Sequence, residues 1–191
     1  MNDLGWTTTK AQLYTVPPYA VACLWSILVA YLSDRTRLRG AYLILGCVLC
    51  ILGYSILITA PPSSIAYLAV FFGAIGAFPG GPGFLSWGLN NAAGASVRAV
   101  SSAYIVSVGT AGAIVATWTY LPEDGPHYRK GHSINLGAQV GVGVVAAFGV
   151  LYVKWENQIR ERGGRDGRVQ GKTEEVVGDL GYRHPSFRYT P

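Results

Sequence analysis

From Gly40 through Val97 the chain runs for fifty-eight residues without an Asp, Glu, Lys or Arg. A lipid bilayer selects for such a run, because a charge at mid-membrane costs about 2.5–3.5 kcal/mol on insertion scales. One crossing takes roughly 20 residues at about 1.5 Å each, so the stretch is long enough for two. Its strongest punctuation, Pro61-Pro62-Ser63-Ser64, falls where two helix-length pieces would meet. The expected structure is a transmembrane hairpin.

The same reading carries through the rest of the chain. Neutral blocks predict five crossings at about 11–33, 41–60, 64–89, 99–121 and 133–153. They lie between an external segment, 1–10, and a Gly-rich charged tail, 154–191, that lacks apolar periodicity and is expected to be mostly disordered. The expected fold class is all-α, a polytopic membrane protein. Composition agrees: 13% of the residues are charged, against roughly 25% in an average soluble domain. Cys23, Cys47 and Cys50 all lie in apolar blocks, and Cys47-Val48-Leu49-Cys50 has no nearby His or acid. These cysteines read as small packing residues rather than as a zinc or redox site.

Two proline clusters modify the helices. Pro17-Pro18 are expected in the first turns of helix one, where missing donors cost least. Pro79-Gly80-Gly81-Pro82-Gly83 falls inside helix three, which must kink or break there. In lipid that is tolerated only where the freed carbonyls face protein or a water-filled cavity. The break is thus either a packing kink or part of a substrate path.

Charge placement sets the topology. Twelve of the fifteen basic residues fall on one side, in the Arg35–Arg39 turn, at Arg98 and in the tail, leaving Lys10, Arg129 and Lys130 opposite. The positive-inside rule makes the tail cytoplasmic and, after five crossings, the amino terminus external. This accounts for the net charge of +5 without nucleic acid.

No nucleophile elbow, phosphate loop or paired catalytic carboxylates occur, so no enzyme, catalytic residue or cofactor is expected. His127 and His132 with Glu123 and Asp124 match no metal-site spacing. More informative is Ser33-Asp34-Arg35-Thr36-Arg37-Leu38-Arg39-Gly40 between helices one and two. A carboxylate at a helix C-terminus opposes the macrodipole and calls for a partner. Asp34 with Arg35 or Arg39 reads either as a topological anchor or as a latch holding two helices together. Asn90 and Asn91 read as helix-ending residues or as amides bridging helices at an inner gate. Tyr14, Thr15 and Tyr19 on helix one, and Ser101, Tyr104 and Ser107 on helix four, offer hydroxyls to a carboxylate, though most such groups satisfy their own backbone.

The Asp34-Arg35…Arg39 pattern resembles the cytoplasmic loop motif of the major facilitator superfamily, in its copy between the eighth and ninth helices. Ala30 and Arg37 stand where that motif usually has Gly, and Leu38 where it often has a basic residue. Other stretches resemble the fungal allantoate permease family of anion:cation symporters. Lys10-Ala11-Gln12-Leu13 with Val16-Pro17-Pro18-Tyr19 is similar to the start of its eighth helix. Trp87-x-x-Asn90-Asn91-Ala92-Ala93-Gly94 with Arg98-Ala99-Val100 is similar to its tenth-helix exit. Pro126-His127-Tyr128 with Gly131-His132 resembles its last external loop, and Phe187-Arg188-Tyr189 its tail.

The resemblance implies helices eight to twelve of such a transporter, with the preceding seven absent through truncation or an incomplete gene model. It implies a substrate path bordered by Pro79, Gly80, Trp87, Asn90 and Asn91, and a small organic anion as substrate: allantoate, ureidosuccinate or a vitamin-like carboxylate. None of the five neutral blocks holds an internal acid or base, so a coupling residue would lie in the missing half. The expected partners are the plasma-membrane bilayer and a missing amino-terminal half or a full-length transporter. A non-transporting membrane interaction protein is the alternative.

Overall fold

The computed structural model describes residues 8–59, 62–125 and 127–191. Most of the external amino-terminal segment, the Ala60-Pro61 part of the hairpin turn and Pro126 lie outside the described residues. Seven α-helices occur in chain order, and no strand is present among the described residues. They are α1 (Thr8–Thr36), α2 (Arg39–Ile58), α3 (Ser63–Ala77), α4 (Gly80–Asn90), α5 (Ala95–Thr117), α6 (Arg129–Glu161) and α7 (Glu174–Gly178). With α3 and α4 counted as one interrupted rod, five are long and apolar enough to cross a membrane.

The packing is that of a protein whose solvent is lipid. The buried apolar residues are mostly small: Ala22, Cys47, Cys50, Ala66, Ala69, Ala92 and Ala146. The large ones point outward, among them Leu24, Ile27, Leu68, Val145 and Phe148. No hydrophobic force drives helices together in lipid, so close van der Waals approach must do so, and small side chains permit it. Helix α2 is the hub, packed against α3 on one side and α6 on the other. Its buried face reads Leu43, Gly46, Cys47, Cys50 and Gly53, a helical period of three and four.

The closest approach is at Gly46 and Gly76. A Cβ on Gly76 would sit 2.5 Å from the Gly46 carbonyl oxygen and 2.7 Å from the Cys50 nitrogen, so only glycine fits. The Cys50 thiol donates to the Gly73 carbonyl at 3.5 Å in the same seam. Gly137-x-x-x-Gly141 on α6 has the spacing of a close-packing pair, yet a Cβ on either glycine would meet nothing within 4 Å.

Pro17 and Pro18 are not in the opening turns of their helix, because α1 begins at Thr8 and continues through them. The N–H that Pro18 lacks would have bonded the Tyr14 carbonyl. The Tyr67 hydroxyl on α3 donates to that carbonyl instead, at 3.0 Å. Tertiary contact thus repairs the helix, as a membrane requires. The second cluster does interrupt its helix. The regular helix ends at Ala77 and restarts at Gly80; Phe78 and Pro79 keep right-handed helical dihedrals, and Pro79 is buried at the joint.

The tail corrects the expectation of disorder. Helix α6 runs on to Glu161; its 33 residues span about 50 Å, well beyond a hydrocarbon core of about 30 Å. The projecting end anchors residues 162–191, which fold back as 3₁₀ turns and the short α7. The buried Arg160 guanidinium donates to the carbonyls of Tyr182, His184 and Phe187 at 3.0–3.1 Å and to the Tyr189 hydroxyl at 3.3 Å. Glu156 fixes that guanidinium at 3.0 Å and binds Arg165 at 2.7 Å. Polar side chains hold the segment by its backbone, so no apolar pattern announces it.

Candidate functional site

Three of the sequence features converge where α1, α2 and α4 meet. Beside the break at Phe78-Pro79 lies a cavity of about 170 Å³, lined by Ser26, Ala30 and Ser33 of α1, Tyr42 and Gly46 of α2, Pro79 at the break, and Gly80 and Ser86 of α4. Asp34 and Arg39 close its basic end. They form an ion pair at 2.5 Å across the turn between α1 and α2, with Arg39 19% exposed and Asp34 66%. When the Asn90 amide is oriented so that its oxygen faces the guanidinium, it accepts from Arg39 Nε at 2.7 Å and Nη2 at 3.2 Å. Arg39 therefore joins the end of α1 to the end of α4. The guanidinium fork suits this role, since it presents several donors in one plane to two acceptors.

The turn itself is strained at one point. Arg37 has φ 55°, the left-handed region that favours glycine. Ala30, the other position where the resembled motif usually has Gly, lines the cavity.

Asn91 and Trp87 face elsewhere. The Asn91 amide donates to the Thr190 carbonyl at 3.1 Å and accepts from the Thr190 N–H at 2.7 Å. The Trp87 indole donates to the same carbonyl at 2.8 Å, and the Gly40 N–H donates to the Pro191 oxygen at 3.2 Å. On α6, Asn157 reads Tyr189 in the same two-sided way, at 2.8 and 2.9 Å. Two asparagines, one on α4 and one on α6, thus grip successive residues of the tail by N–H and C=O. The tail ties together the same basic end that Arg39 bridges.

The remaining predicted residues do not join this site. Arg35 donates to the Tyr31 hydroxyl on its own helix at 3.1 Å. Thr15 donates to the Gln12 carbonyl at 2.6 Å, satisfying its own backbone. Tyr14 packs edge-on against Tyr67, and Tyr19 against Phe78, with ring centroids 5.9 and 5.3 Å apart. Tyr104 and Ser107 are exposed on α5, which has no buried residue and packs chiefly on α4. His132 is in the first turn of α6, its ring nitrogen 3.1 Å from the Tyr120 hydroxyl, and no group of three metal-ligating side chains occurs among the described residues.

Ser26, Ser33, Tyr42 and Ser86 were not singled out in the sequence. A signal existed for two of them. Ser26, Val29, Ala30 and Ser33 repeat at three, four and seven, which puts both serines on the cavity face of α1.

These features define the class: an all-helical integral membrane protein in which an interrupted helix borders a largely apolar cavity with an ion pair at one end. Its homologues are transporters of the major facilitator type. The MFS-type transporter cnsO of Penicillium expansum is 31% identical over 195 aligned residues, covering 98% of this chain and 37% of the relative. The MFS-type transporter efuF of Hormonema carpetanum is 32% identical over 167, covering 85% of this chain and 34% of the relative. The high-affinity nicotinic acid transporter of Saccharomyces cerevisiae is 26% identical over 157, covering 82% and 29%. The chain therefore spans about a third of the length of the curated relatives it matches. No protein-family model matches it, and no solved structure matches it.

Proposed function

We propose that this chain is the carboxy-terminal five-helix part of a major facilitator transporter of the fungal allantoate permease type, in which it supplies one wall of a path for small organic anions. The observation that carries this reading is the Arg39 bridge between Asp34 and Asn90 at the mouth of the cavity beside the broken helix. A salt-bridged latch at one end of such a cavity can hold one access state and release another, as alternating access requires. One relative is named as a transporter of nicotinic acid, a vitamin carboxylate, which favours a carboxylate cargo. The basic end is cytoplasmic in this reading, the amino terminus external and the host the plasma membrane. The division into an external segment 1–10, a membrane region 11–153 and a cytoplasmic segment 154–191 follows.

Tyr14, Thr15, Tyr19, Trp87, Tyr104 and Ser107 would contribute to the path or to the contact with the other half. The exposed apolar face of α5, with Val100, Ile114 and Val115, is open to lipid or to such a half. The same face favours the second reading, a non-transporting protein packed against a complete transporter. The chain alone is inactive in both.

Vesicles holding only this chain are expected to accumulate labelled nicotinate, allantoate or ureidosuccinate no faster than empty vesicles. Co-expression with the seven helices that precede the matched region in a relative is expected to restore accumulation. Uptake by the isolated chain overturns the inactivity. Co-purified halves that carry none of the three anions overturn the transporter reading.

A further inference from the structure

A second hollow, about 520 Å³, lies between the projecting end of α6 and the folded tail. Its walls bring together Arg168, Lys172 and Arg183 from three separate segments of the tail. Arg160 and Arg165 also line it, but both are held by Glu156. Among the described residues Glu156 is the only carboxylate in the lining, where it faces five cations. Among the described residues Arg168, Lys172 and Arg183 form no ion pair. Arg168 donates to the Arg183 carbonyl at 3.2 Å, and the Arg183 guanidinium stacks 5.8 Å from the Tyr182 ring. Folding the tail therefore gathers like charges in one concavity, at a cost in repulsion.

We propose that this hollow binds a phosphorylated ligand whose phosphate is held by Arg168, Lys172 and Arg183. Guanidinium and ammonium groups converging from several sides match the several acceptor oxygens of a phosphate. Tyr152 and Tyr182 add hydroxyls to the walls, and burial pushes the Tyr189 phenol up, so it stays neutral. The volume is in the range of small-molecule sites, roughly 300–1,000 Å³. Tyr152 and Trp155 are 58% and 53% exposed on the adjacent turns of α6, where aromatic side chains mark the level of lipid headgroups. A lipid phosphomonoester reaches the hollow from that level, and a soluble one from the aqueous side. The site goes beyond the transport reading and stands independently of it.

The test uses the full chain with two probes: inositol 1,4,5-trisphosphate in detergent solution, and phosphatidylcholine nanodiscs with and without phosphatidylinositol 4-phosphate. Lys172→Gln/Arg183→Gln is expected to weaken binding at least tenfold. Lys154→Gln/Arg162→Gln removes the same charge outside the hollow and is expected to change it less than twofold. The wild-type chain, independent of any variant, is expected to show slower amide exchange across residues 165–189 when the trisphosphate is added. Binding confined to the lipid assigns a headgroup source, and competition by the trisphosphate assigns the soluble one; either supports the site. Equal weakening by both double variants, or unchanged exchange at saturating trisphosphate in a chain that also ignores the lipid, overturns it.

Discussion

Replacing Arg160 with Met should release the tail while leaving the bundle intact. The guanidinium is 1% exposed and serves five polar partners: Glu156, three carbonyls and the Tyr189 hydroxyl. Hydrogen bonds to charged groups contribute about 1.5–3 kcal/mol each, so five would sum to roughly 8–15 kcal/mol if they were additive. They are not additive. The tail can leave as a unit and rehydrate its carbonyls, which caps the measurable loss at the free energy of docking. Breaking a buried ion pair alone costs about 3–5 kcal/mol. At 1.36 kcal/mol per tenfold, the lower figure corresponds to about a hundredfold faster amide exchange over residues 180–190. Exchange read by mass spectrometry in detergent checks this, with peptides from α2 and α3 as internal reference. Arg160→Lys should fall between, since one ammonium cannot span the same fork of acceptors. Tail exchange in Arg160→Met within twofold of wild type would refute the clamp. Equal acceleration in α2 and α3 would refute its locality.

Further outcomes follow from the turn and the glycine seam. Arg37→Gly should stabilise the chain by about 0.5–1 kcal/mol, because relief of left-handed strain, about 1–2 kcal/mol, outweighs the entropy glycine adds to the unfolded chain. Thermal unfolding in detergent would read this, and a lower midpoint counts against it. Gly76→Ala should destabilise by about 1–3 kcal/mol, since its methyl meets the backbone of Gly46 and Cys50. Gly141→Ala should be neutral or mildly stabilising in the same assay, as open space surrounds it. The reverse ranking would mean that α6, not α3, makes the closest helix contact.

Membrane helices are legible where solvent alone dictates composition. Neutral blocks locate the five membrane-length helices, and two prolines three positions apart locate the break, because each is a local cost that lipid magnifies. Asp34 was legible as a charge needing a partner, and Arg39 is that partner; that Asn90 completes the bridge depends on how α4 is aimed after its break. The tail was illegible for a different reason. Its order comes from Arg160, Asn157 and Asn91, which bind backbone groups and leave no periodic trace. In a linear reading Arg160 is one more topological cation. Pro17-Pro18 misled similarly, since their helix survives through a hydroxyl on Tyr67, fifty-three positions from the carbonyl it caps. Glycine spacing on a single helix, as at Gly137 and Gly141, says nothing about which neighbour approaches; the seam is set by pairs on two helices, Gly46 with Gly76.

In the proposed topology five crossings put the two ends of the chain on opposite faces of a membrane. Labelling of intact cells with a membrane-impermeant maleimide tests this most directly, using Glu123→Cys, Arg162→Cys and an epitope tag before Met1. In Glu123→Cys the thiol, like the tag, is expected to be reached from outside, while in Arg162→Cys it reacts only after permeabilisation. The tag and the Arg162→Cys thiol in the same compartment would contradict this topology.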